Sequence, residues 1–482
     1  MIDFRPVGYV IGLMLATLGA AMLVPLGFDL AAGNGHWPAF LEASVLTSLV
    51  GAALAIACSN AKSQGLTIQQ TFLVTTGIWA VLPAFGALPF MNGATAANFT
   101  DAYFEAMSGL TTTGSTVITG LDTLPEGLLL WRAILQWLGG IGIIVVAMVF
   151  LPELRVGGMQ IFRAEAFDTM GKILPRATEI AGRISVIYVG LTVACTVAYY
   201  AAGMEGFDAM SHAMTTLATG GMANYDASFA MYGAGIQYVC ITFMILSALP
   251  YVRYVQLMAG TAAPLWRDSQ IRAFFAVLGV AVAGLTLWLW ATGIAPGEEG
   301  LRGALFNTVS IITGAGFSST DYMLWGALPV TAIFFIGLIG GCSGSTTCSV
   351  KIFRYQLLFA AVNAQIRRIH SPHGVFTPRY EGRAVDDDVL NSVMSFFLFF
   401  IVSLGVLSVL LGFTGLDFIT ALSGAATALG NIGPGLGPEI GPAGNFGGLN
   451  DAAKWLLSIA MLIGRLELLV VFVLFTVAFW RA

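Results

Sequence analysis

Four short stretches decide how this chain reads: FEAMSGLTTTGST (Phe104–Thr116), SHAMTTLATGGMA (Ser211–Ala223), FNTVSIITGAGFS (Phe306–Ser318) and SGAATALGNIGPG (Ser423–Gly435). Aligned on Gly114, Gly221, Gly316 and Gly433, each carries Ser or Thr six residues earlier, at Ser108, Thr215, Ser310 and Thr427. The glycines recur at intervals of 107, 95 and 117 residues. Shared chemistry at a shared offset and near-constant spacing marks an internal repeat. Each stretch before its glycine is helix-compatible but, at about ten residues, too short to cross a bilayer. Asp101, Asp208 and Asp417 stand where the N-caps of three of these short helices are expected.

On either side lie long apolar runs: Val7–Leu26, Ala43–Ser59, Phe72–Met91, Leu128–Leu151, Ile184–Ala202, Ala230–Val252, Phe274–Ile294, Leu324–Val362, Val389–Phe413 and Trp455–Trp480. A spanning helix needs about 20 mainly apolar residues, and each run meets or approaches that length. The composition agrees: 57% of the 482 residues are apolar and 10% charged, against about 25% charged in soluble domains. Twenty-one basic and 26 acidic side chains cannot coat a soluble body of this size. Soluble enzymes and nucleic-acid binders are therefore excluded, and a net charge of −5 also disfavours a polyanion partner. The runs are continuous rather than alternating, so the spans are helices and not barrel strands. Five cysteines, most in apolar runs, do not make a disulfide framework. The first run lacks an A-x-A-like cleavage site and reads as a retained helix.

The expected fold is an all-α polytopic membrane protein of about ten transmembrane helices. Two leading helices (1–66) precede four repeats (67–155, 183–260, 270–365 and 388–482), each running span, short helix, Gly-rich turn, span. The eighth run is too long for one straight helix and is interrupted at Gly340–Ser345. With both termini cytoplasmic, 17 of the 21 basic residues fall inside and 15 of the 26 acidic ones outside. That bias sets the orientation, and an acidic outer face concentrates cations.

Both flanking spans cross the membrane, so each short helix must re-enter. Irregular backbone at membrane depth survives only where it is buried in protein or lines a water-filled path. Four re-entrant turns in register imply a pseudo-fourfold pore. Glycine allows positive φ, and rings of carbonyl oxygens can replace the hydration shell of a monovalent cation. Each short helix would add about half a negative charge from its carboxyl end. In the second turn Gly220 and Gly221 compete: the Thr215 offset favours Gly221, and both offer carbonyls. Thr112, Thr113, Thr219 and Asn431 flank the glycines and add oxygens to the same column.

The fourfold plan, with TTTGS at Thr111–Ser115, ATGGM at Ala218–Met222, TGAGF at Thr313–Phe317 and GNIGPG at Gly430–Gly435, resembles the Trk/Ktr/HKT superfamily of cation transporters. The two leading helices, the interrupted eighth span and GRLELL at Gly464–Leu469 make it most similar to TrkH-type potassium-uptake subunits, over essentially the whole chain. The resemblance implies a potassium-translocating subunit of the bacterial inner membrane, a homodimer, with potassium as substrate and no cofactor. It also implies gating by a cytoplasmic ring of nucleotide-binding TrkA-type regulatory subunits. By the same resemblance the filter comprises Thr112, Thr113, Gly114, Thr219, Gly220, Gly221, Ala315, Gly316, Asn431, Ile432 and Gly433. Glycine at all four filter positions goes, in that superfamily, with potassium over sodium. The implied gate is an intramembrane loop with Gly341, Ser343, Gly344, Ser345, Thr346 and Lys351, facing Arg465. Thr347, Cys348 and Ser349 stand where such proteins often carry glycines, which implies a stiffer or differently packed loop.

Arg465 and Glu467 interrupt the last apolar run. Two residues apart they point to different faces of a helix, so Arg465 needs oxygens from elsewhere. Carbonyls around Gly340–Ser345 and the hydroxyls of Ser343, Ser345, Thr346 and Thr347 are the expected partners. His370 and His373 have no further metal-binding neighbour in sequence and read as a solvated turn, His212 as a structural residue, and Cys342 and Cys348 as small packing groups. Asp386–Asp388 reads as a helix start. No phosphate-binding loop or nucleophile–base pair is present, so neither catalysis nor nucleotide binding by this chain is expected. The inner loops Glu153–Arg183, Tyr251–Arg272 and Lys351–Asp388 are together basic and form the expected docking surface for a regulator. The competing reading is a cation-coupled secondary transporter, a potassium/proton or potassium/sodium symporter working by alternating access. Such transporters usually pair two repeats about one central site, so four turns favour a pore.

Overall fold

The computed structural model describes residues 2–61, 66–146 and 177–481. Lys62, Arg155, Arg163, Lys172 and Arg176, and most of the expected inner loop Glu153–Arg183, lie outside the described residues. The chain is a nearly all-helical, polytopic membrane protein. Seven of the described helices are long and apolar enough to cross a membrane, and a pair bent by 89°, Ala234–Ser247 with Tyr251–Met258, passes the same test only when its two helices are taken together. A two-residue hairpin, Arg379–Tyr380 against Arg383–Ala384, is the strand content among the described residues.

The leading unit is α1 (Arg5–Ala21), running into α2 (Leu23–Ala32), folded back on α3 (Trp37–Ala57). Small residues let α1 and α3 approach closely: a Cβ on Gly12 would stand 2.7 Å from the Gly51 carbonyl oxygen, and Ser44 Oγ donates to the Gly19 carbonyl at 2.7 Å. The first repeat is α4 (Ile68–Gly86), the short α5 (Leu88–Asn92), the re-entrant α6 (Phe99–Leu110) and α7 (Glu126–Val145). Thr67 opens α4 with a capping box, accepting from the Gln70 amide while Gln70 Oε1 accepts from the Thr67 amide. The second repeat is α8 (Ala177–Ala201), re-entrant α9 (Gly206–Leu217) and the pair α10 (Ala234–Ser247) and α11 (Tyr251–Met258), followed by α12 (Ala263–Arg267). The third is α13 (Ser269–Thr292), re-entrant α14 (Gly297–Thr313), α15 (Ala327–Gly337) and α16 (Ile352–His370). The fourth is α17 (Asp387–Phe413), re-entrant α18 (Phe418–Gly430), α19 (Asp451–Arg465), α20 (Leu469–Val473) and α21 (Val477–Arg481). The re-entrant helices are buried along most of their length, whereas α17 leaves Leu398, Ile401, Val402 and Phe413 exposed. An apolar face of that size belongs against lipid.

Two expected straight spans are broken, Ala230–Val252 and Trp455–Trp480, and the eighth run is interrupted where its sequence leads one to expect. The run Ala230–Val252 bends by 89° between α10 and α11. Pro250 is the cause: it has no N–H to donate and disfavours helical backbone at the residue before it. The run Leu324–Val362 becomes α15, a non-helical stretch at 338–351, and α16. The last run, Trp455–Trp480, stops as a helix at Arg465, where Glu467 and Leu468 take φ of 63° and 50° before α20 begins. The expected caps also need correction. Only Asp417 is an N-cap, accepting from the Ile419 and Thr420 amides at 2.9 and 3.3 Å. Asn98 caps α6, so Asp101 sits inside the first turn and pairs with Lys454 at 2.5 Å. Asp208 likewise lies within α9, where it accepts from Asn224 Nδ2 and the Tyr225 and Tyr232 hydroxyls.

Candidate functional site

The four re-entrant helices end in turns with one backbone pattern. Positive φ recurs at the glycine and again two residues before it: Thr112 and Gly114 (52° and 88°), Thr219 and Gly221 (50° and 74°), Gly314 and Gly316 (75° and 80°), Asn431 and Gly433 (49° and 102°). Alternating handedness turns successive peptide planes so that their carbonyls can face one side. Glycine holds this region without strain, whereas most residues with a Cβ are disfavoured there.

A Cβ built on each glycine shows what the glycine faces. At Gly114 it would stand 2.0 Å from the Gly220 carbonyl oxygen, at Gly221 1.7 Å from that of Ala315, at Gly316 2.1 Å from that of Ile432, and at Gly433 3.0 Å from that of Thr113. Each glycine thus abuts the carbonyl of the residue preceding the next repeat's glycine, and the fourth returns to the first. The four turns form a closed ring in the order one, two, three, four. The recurring Ser or Thr supplies the backbone that tethers each turn: Thr113, Gly220 and Ile432 donate N–H to the carbonyls of Ser108, Thr215 and Thr427 at 2.8, 3.0 and 3.1 Å. In the third repeat the donor is Gly316 itself, to Ser310 at 3.2 Å. On one side of the ring lies a cavity of about 260 Å³ bordered by Gly114, Gly221, Gly316 and Gly433.

Polar side chains brace the turns from behind. Arg132 on α7 pairs with Glu105 on α6 at 2.8 Å, both buried, and donates to the Ala223 carbonyl at 2.7 Å. Glu105 also accepts from the Thr116 hydroxyl and the Val117 amide. Ser115 Oγ donates to the Gly433 carbonyl at 2.8 Å, and Asn431 Nδ2 to Thr113 Oγ1 and the Met461 carbonyl. His212 is buried, its Nδ1 2.9 Å from the Asp208 carbonyl and its ring edge-on to Phe229 and Tyr232.

On the other side, the non-helical stretch 338–351 is held by neighbours from the second, third and fourth repeats. Its first half docks on the α10–α11 bend of the second repeat. Cys342 N donates to the Ala248 carbonyl at 3.2 Å, Tyr251 N to the Gly344 carbonyl at 2.9 Å, and Thr346 Oγ1 to the Ser247 carbonyl at 3.2 Å. Ser343 N donates to Gln270 Oε1 at 2.8 Å, Ser345 Oγ to the Cys342 carbonyl at 2.6 Å, and Ile352 N to the Gly341 carbonyl at 3.0 Å. Ser349 Oγ reaches the Gly430 carbonyl at the end of α18. Arg465 of the fourth repeat donates to the carbonyls of Thr346 and of Gly139 in the first repeat, at 3.5 and 3.2 Å, and to Cys348 Sγ. A segment that, with one arginine, touches all four repeats beside a four-repeat ring lies across it. A Cβ on Gly314 would stand 3.9 Å from Cys348 N, so the loop lies directly against the ring's third turn.

Arg465 therefore meets this loop, but not at the expected carbonyls of Gly340–Ser345. The carbonyls of Gly341, Cys342 and Gly344 instead accept from the Ile352 amide, Ser345 Oγ and the Tyr251 amide, the last at the α10–α11 bend, whose break leaves backbone donors to be satisfied. Glu467 points away from Arg465, pairing with Lys351 Nζ at 2.9 Å and with Arg354. Gly314, Glu105, Arg132, Gln136 and Glu467 were not among the expected site residues. Gly314 carries a readable signal, standing two before Gly316 as Thr112 does before Gly114. His370 and His373 lie at and beyond the end of α16, and among the described residues no cluster of three metal-ligating side chains occurs.

Comparison with known proteins agrees with this architecture. A family profile named TrkH and described as a cation transport protein matches residues 36–481. The chain is 46% identical over 414 residues to the Trk system potassium uptake protein TrkI of Halomonas elongata, covering 86% of this chain and 84% of that one. It is 37% identical over 489 residues to the Trk system potassium uptake protein TrkH of Escherichia coli K12, covering 99% of both. The crystal structure of the potassium transporter TrkH from Vibrio parahaemolyticus superposes with a TM-score of 0.91 at 34% identity, covering both chains completely. Family profile, full-length identity and fold agree: this chain belongs to the TrkH family of cation transport proteins, a family of transporters and not of enzymes.

Proposed function

We propose that this chain takes up potassium across a bacterial inner membrane through the ring of Gly114, Gly221, Gly316 and Gly433. The observation that carries the reading is the closed order in which each ring glycine abuts the next repeat's carbonyl. Thr113, Gly220, Ala315 and Ile432 supply that layer of oxygens, and Thr112, Thr219, Gly314 and Asn431 the positive-φ layer beneath it. A potassium ion entering from the 260 Å³ vestibule exchanges hydration oxygens for carbonyl oxygens. The carboxyl ends of α6, α9, α14 and α18 add partial negative charge toward the ring. The relatives' names, Trk system potassium uptake proteins, support potassium as the ion.

The loop with Gly341, Ser343, Gly344, Ser345, Thr346 and Lys351, pinned by Arg465, is the gate in this reading. A guanidinium beneath the ring blocks a cation by size and by charge. Glu467 holds Lys351 and Arg354 at the loop's exit, which fixes the start of α16. Both termini face the cytoplasm, where a nucleotide-binding regulatory ring docks on the basic inner surface of a homodimer. The test is expression in a bacterium lacking potassium uptake, with and without such a regulator. Growth at low potassium that sodium cannot replace supports the reading. Failure of a properly inserted protein to support growth in either setting rejects it.

A further inference from the structure

Among the four ring positions, the second differs from the others in its composition. The residue supplying the carbonyl is Thr113, Ala315 and Ile432 in three repeats, each with a side chain, but Gly220 in the second. Positive φ does not explain this glycine, because Gly221 and Thr219 hold the left-handed positions there. The explanation is a neighbour. A Cβ on Gly220 would stand 2.4 Å from Gln136 Cδ and 2.6 Å from both Gln136 Nε2 and Oε1. The amide of Gln136 lies flat against the Gly220 α-carbon and occupies the place a side chain would take.

Gln136 is fully buried, and both ends of its amide are engaged. Nε2 donates to the Gly220 carbonyl at 2.7 Å, and Oε1 accepts from the Met222 amide at 3.1 Å. The side chain thus brackets Gly221, holding the peptide groups on either side of it. One turn earlier on the same face of α7, Arg132 holds the Ala223 carbonyl. A helix of the first repeat therefore splints the second repeat's turn from residue 220 to 223. The Gly220 oxygen is the one that abuts Gly114, so the same amide sets the spacing between the first and second turns.

Resting on the pore reading above, we infer that Gln136 is a positioning residue for ion selectivity, matched to Gly220. Its amide fixes where the Gly220 oxygen stands in the ring. A buried carbonyl and a buried N–H that lose their partner together are free to reorient or are left unsatisfied. A ring that discriminates ions by oxygen position then loses discrimination more than throughput.

The experiment uses the full chain in cells lacking other potassium uptake and reads the ratio of rubidium to sodium tracer uptake, with inserted protein quantified. Gln136→Met keeps length and volume and removes both hydrogen bonds; the ratio is expected to fall by about three- to tenfold, the weight of a net hydrogen bond or two. A merely structural residue would lower inserted protein and both fluxes together and leave the ratio unmoved. Gly220→Ala alone is expected to insert poorly or to lose selectivity, and Gly220→Ala with Gln136→Ala to recover insertion, because the new methyl fills the vacated space. Gly221→Ser is run alongside as the control for the pore itself. If Gly221→Ser lowers the ratio while Gln136→Met leaves it at the wild-type value, the inference about Gln136 is overturned and the pore stands. If neither moves the ratio, the pore reading falls and takes the inference with it. A Gly220→Ala protein with wild-type insertion and ratio would also overturn the matching of the two residues.

Discussion

Adding one hydroxymethyl group at each ring glycine should impair selectivity in a graded order that the geometry sets. Real Cβ atoms essentially never approach another heavy atom within 3.0 Å, so Gly221→Ser, whose Cβ would start 1.7 Å from the Ala315 oxygen, forces a separation of about 1.3 Å. Gly114→Ser and Gly316→Ser, starting at 2.0 and 2.1 Å, force about 1 Å. Gly433→Ser starts at 3.0 Å and needs only a slight adjustment. All four also carry the left-handed backbone penalty of about 1–2 kcal/mol for a residue with a Cβ. The first three displacements exceed the difference in radius between potassium and sodium ions. The expected loss in rubidium-over-sodium uptake is about tenfold or more at Gly221, Gly114 and Gly316, equivalent to roughly 1.4 kcal/mol of lost discrimination, and smaller at Gly433. The assay is paired tracer uptake into potassium-uptake-deficient cells, normalised to inserted protein. Four variants with the wild-type ratio would refute the ring. So would the reverse order, with Gly433→Ser the most damaging.

Three further outcomes are expected. Arg465→Ala removes a charged donor from Thr346, Cys348 and Gly139; at about 1.5–3 kcal/mol for such a bond, flux should rise by roughly ten- to a hundredfold if the closed state dominates, even without a regulator. Deleting Ser343–Ser345 should act in the same direction, and unchanged or lower flux from a well-inserted Arg465→Ala protein defeats the gate. Glu467→Gln leaves Lys351 and Arg354 buried without their carboxylate, a loss of about 3–5 kcal/mol that should appear as a markedly lower melting temperature in detergent; an unshifted melt contradicts the buried triad. Crosslinking should place a soluble regulator on Tyr251–Arg272 and Lys351–Asp388, and crosslinks concentrated at Asp122 or Glu298 would reverse the assigned orientation.

The parts of this protein that sequence reveals are those carried by local chemistry repeated in register. Apolar length marks the spans, and Gly114, Gly221, Gly316 and Gly433 mark the turns because the backbone there demands glycine. The layer below was only partly legible, since Thr112, Thr219, Gly314 and Asn431 share a left-handed backbone but no common side chain. Pro250 announces the α10–α11 bend, whereas the break after Arg465 falls at Glu467 and Leu468, neither a helix breaker. It is set by tertiary pairing, through Lys351 and Arg354, which lie more than a hundred residues away. Gln136 was invisible for the same reason: its partners are 84 and 86 residues distant, and only the doubled glycine at Gly220–Gly221 hinted that something presses on that turn. Asp101 and Asp208 sit inside the first turn rather than at the cap, because an acid near a helix start serves equally well there, where the dipole favours it.

Ion flux in liposomes holding the purified protein is the sharpest probe of whether ions pass through a four-turn carbonyl ring that prefers potassium. Potassium, sodium and chloride gradients are imposed one at a time while membrane potential and tracer movement are recorded. The expected result is electrogenic flux that reverses at the potassium equilibrium potential, shifts little with sodium and not at all with chloride. Saturable flux with counter-flow and a strict potassium-to-proton or potassium-to-sodium stoichiometry would contradict it and point to alternating access instead.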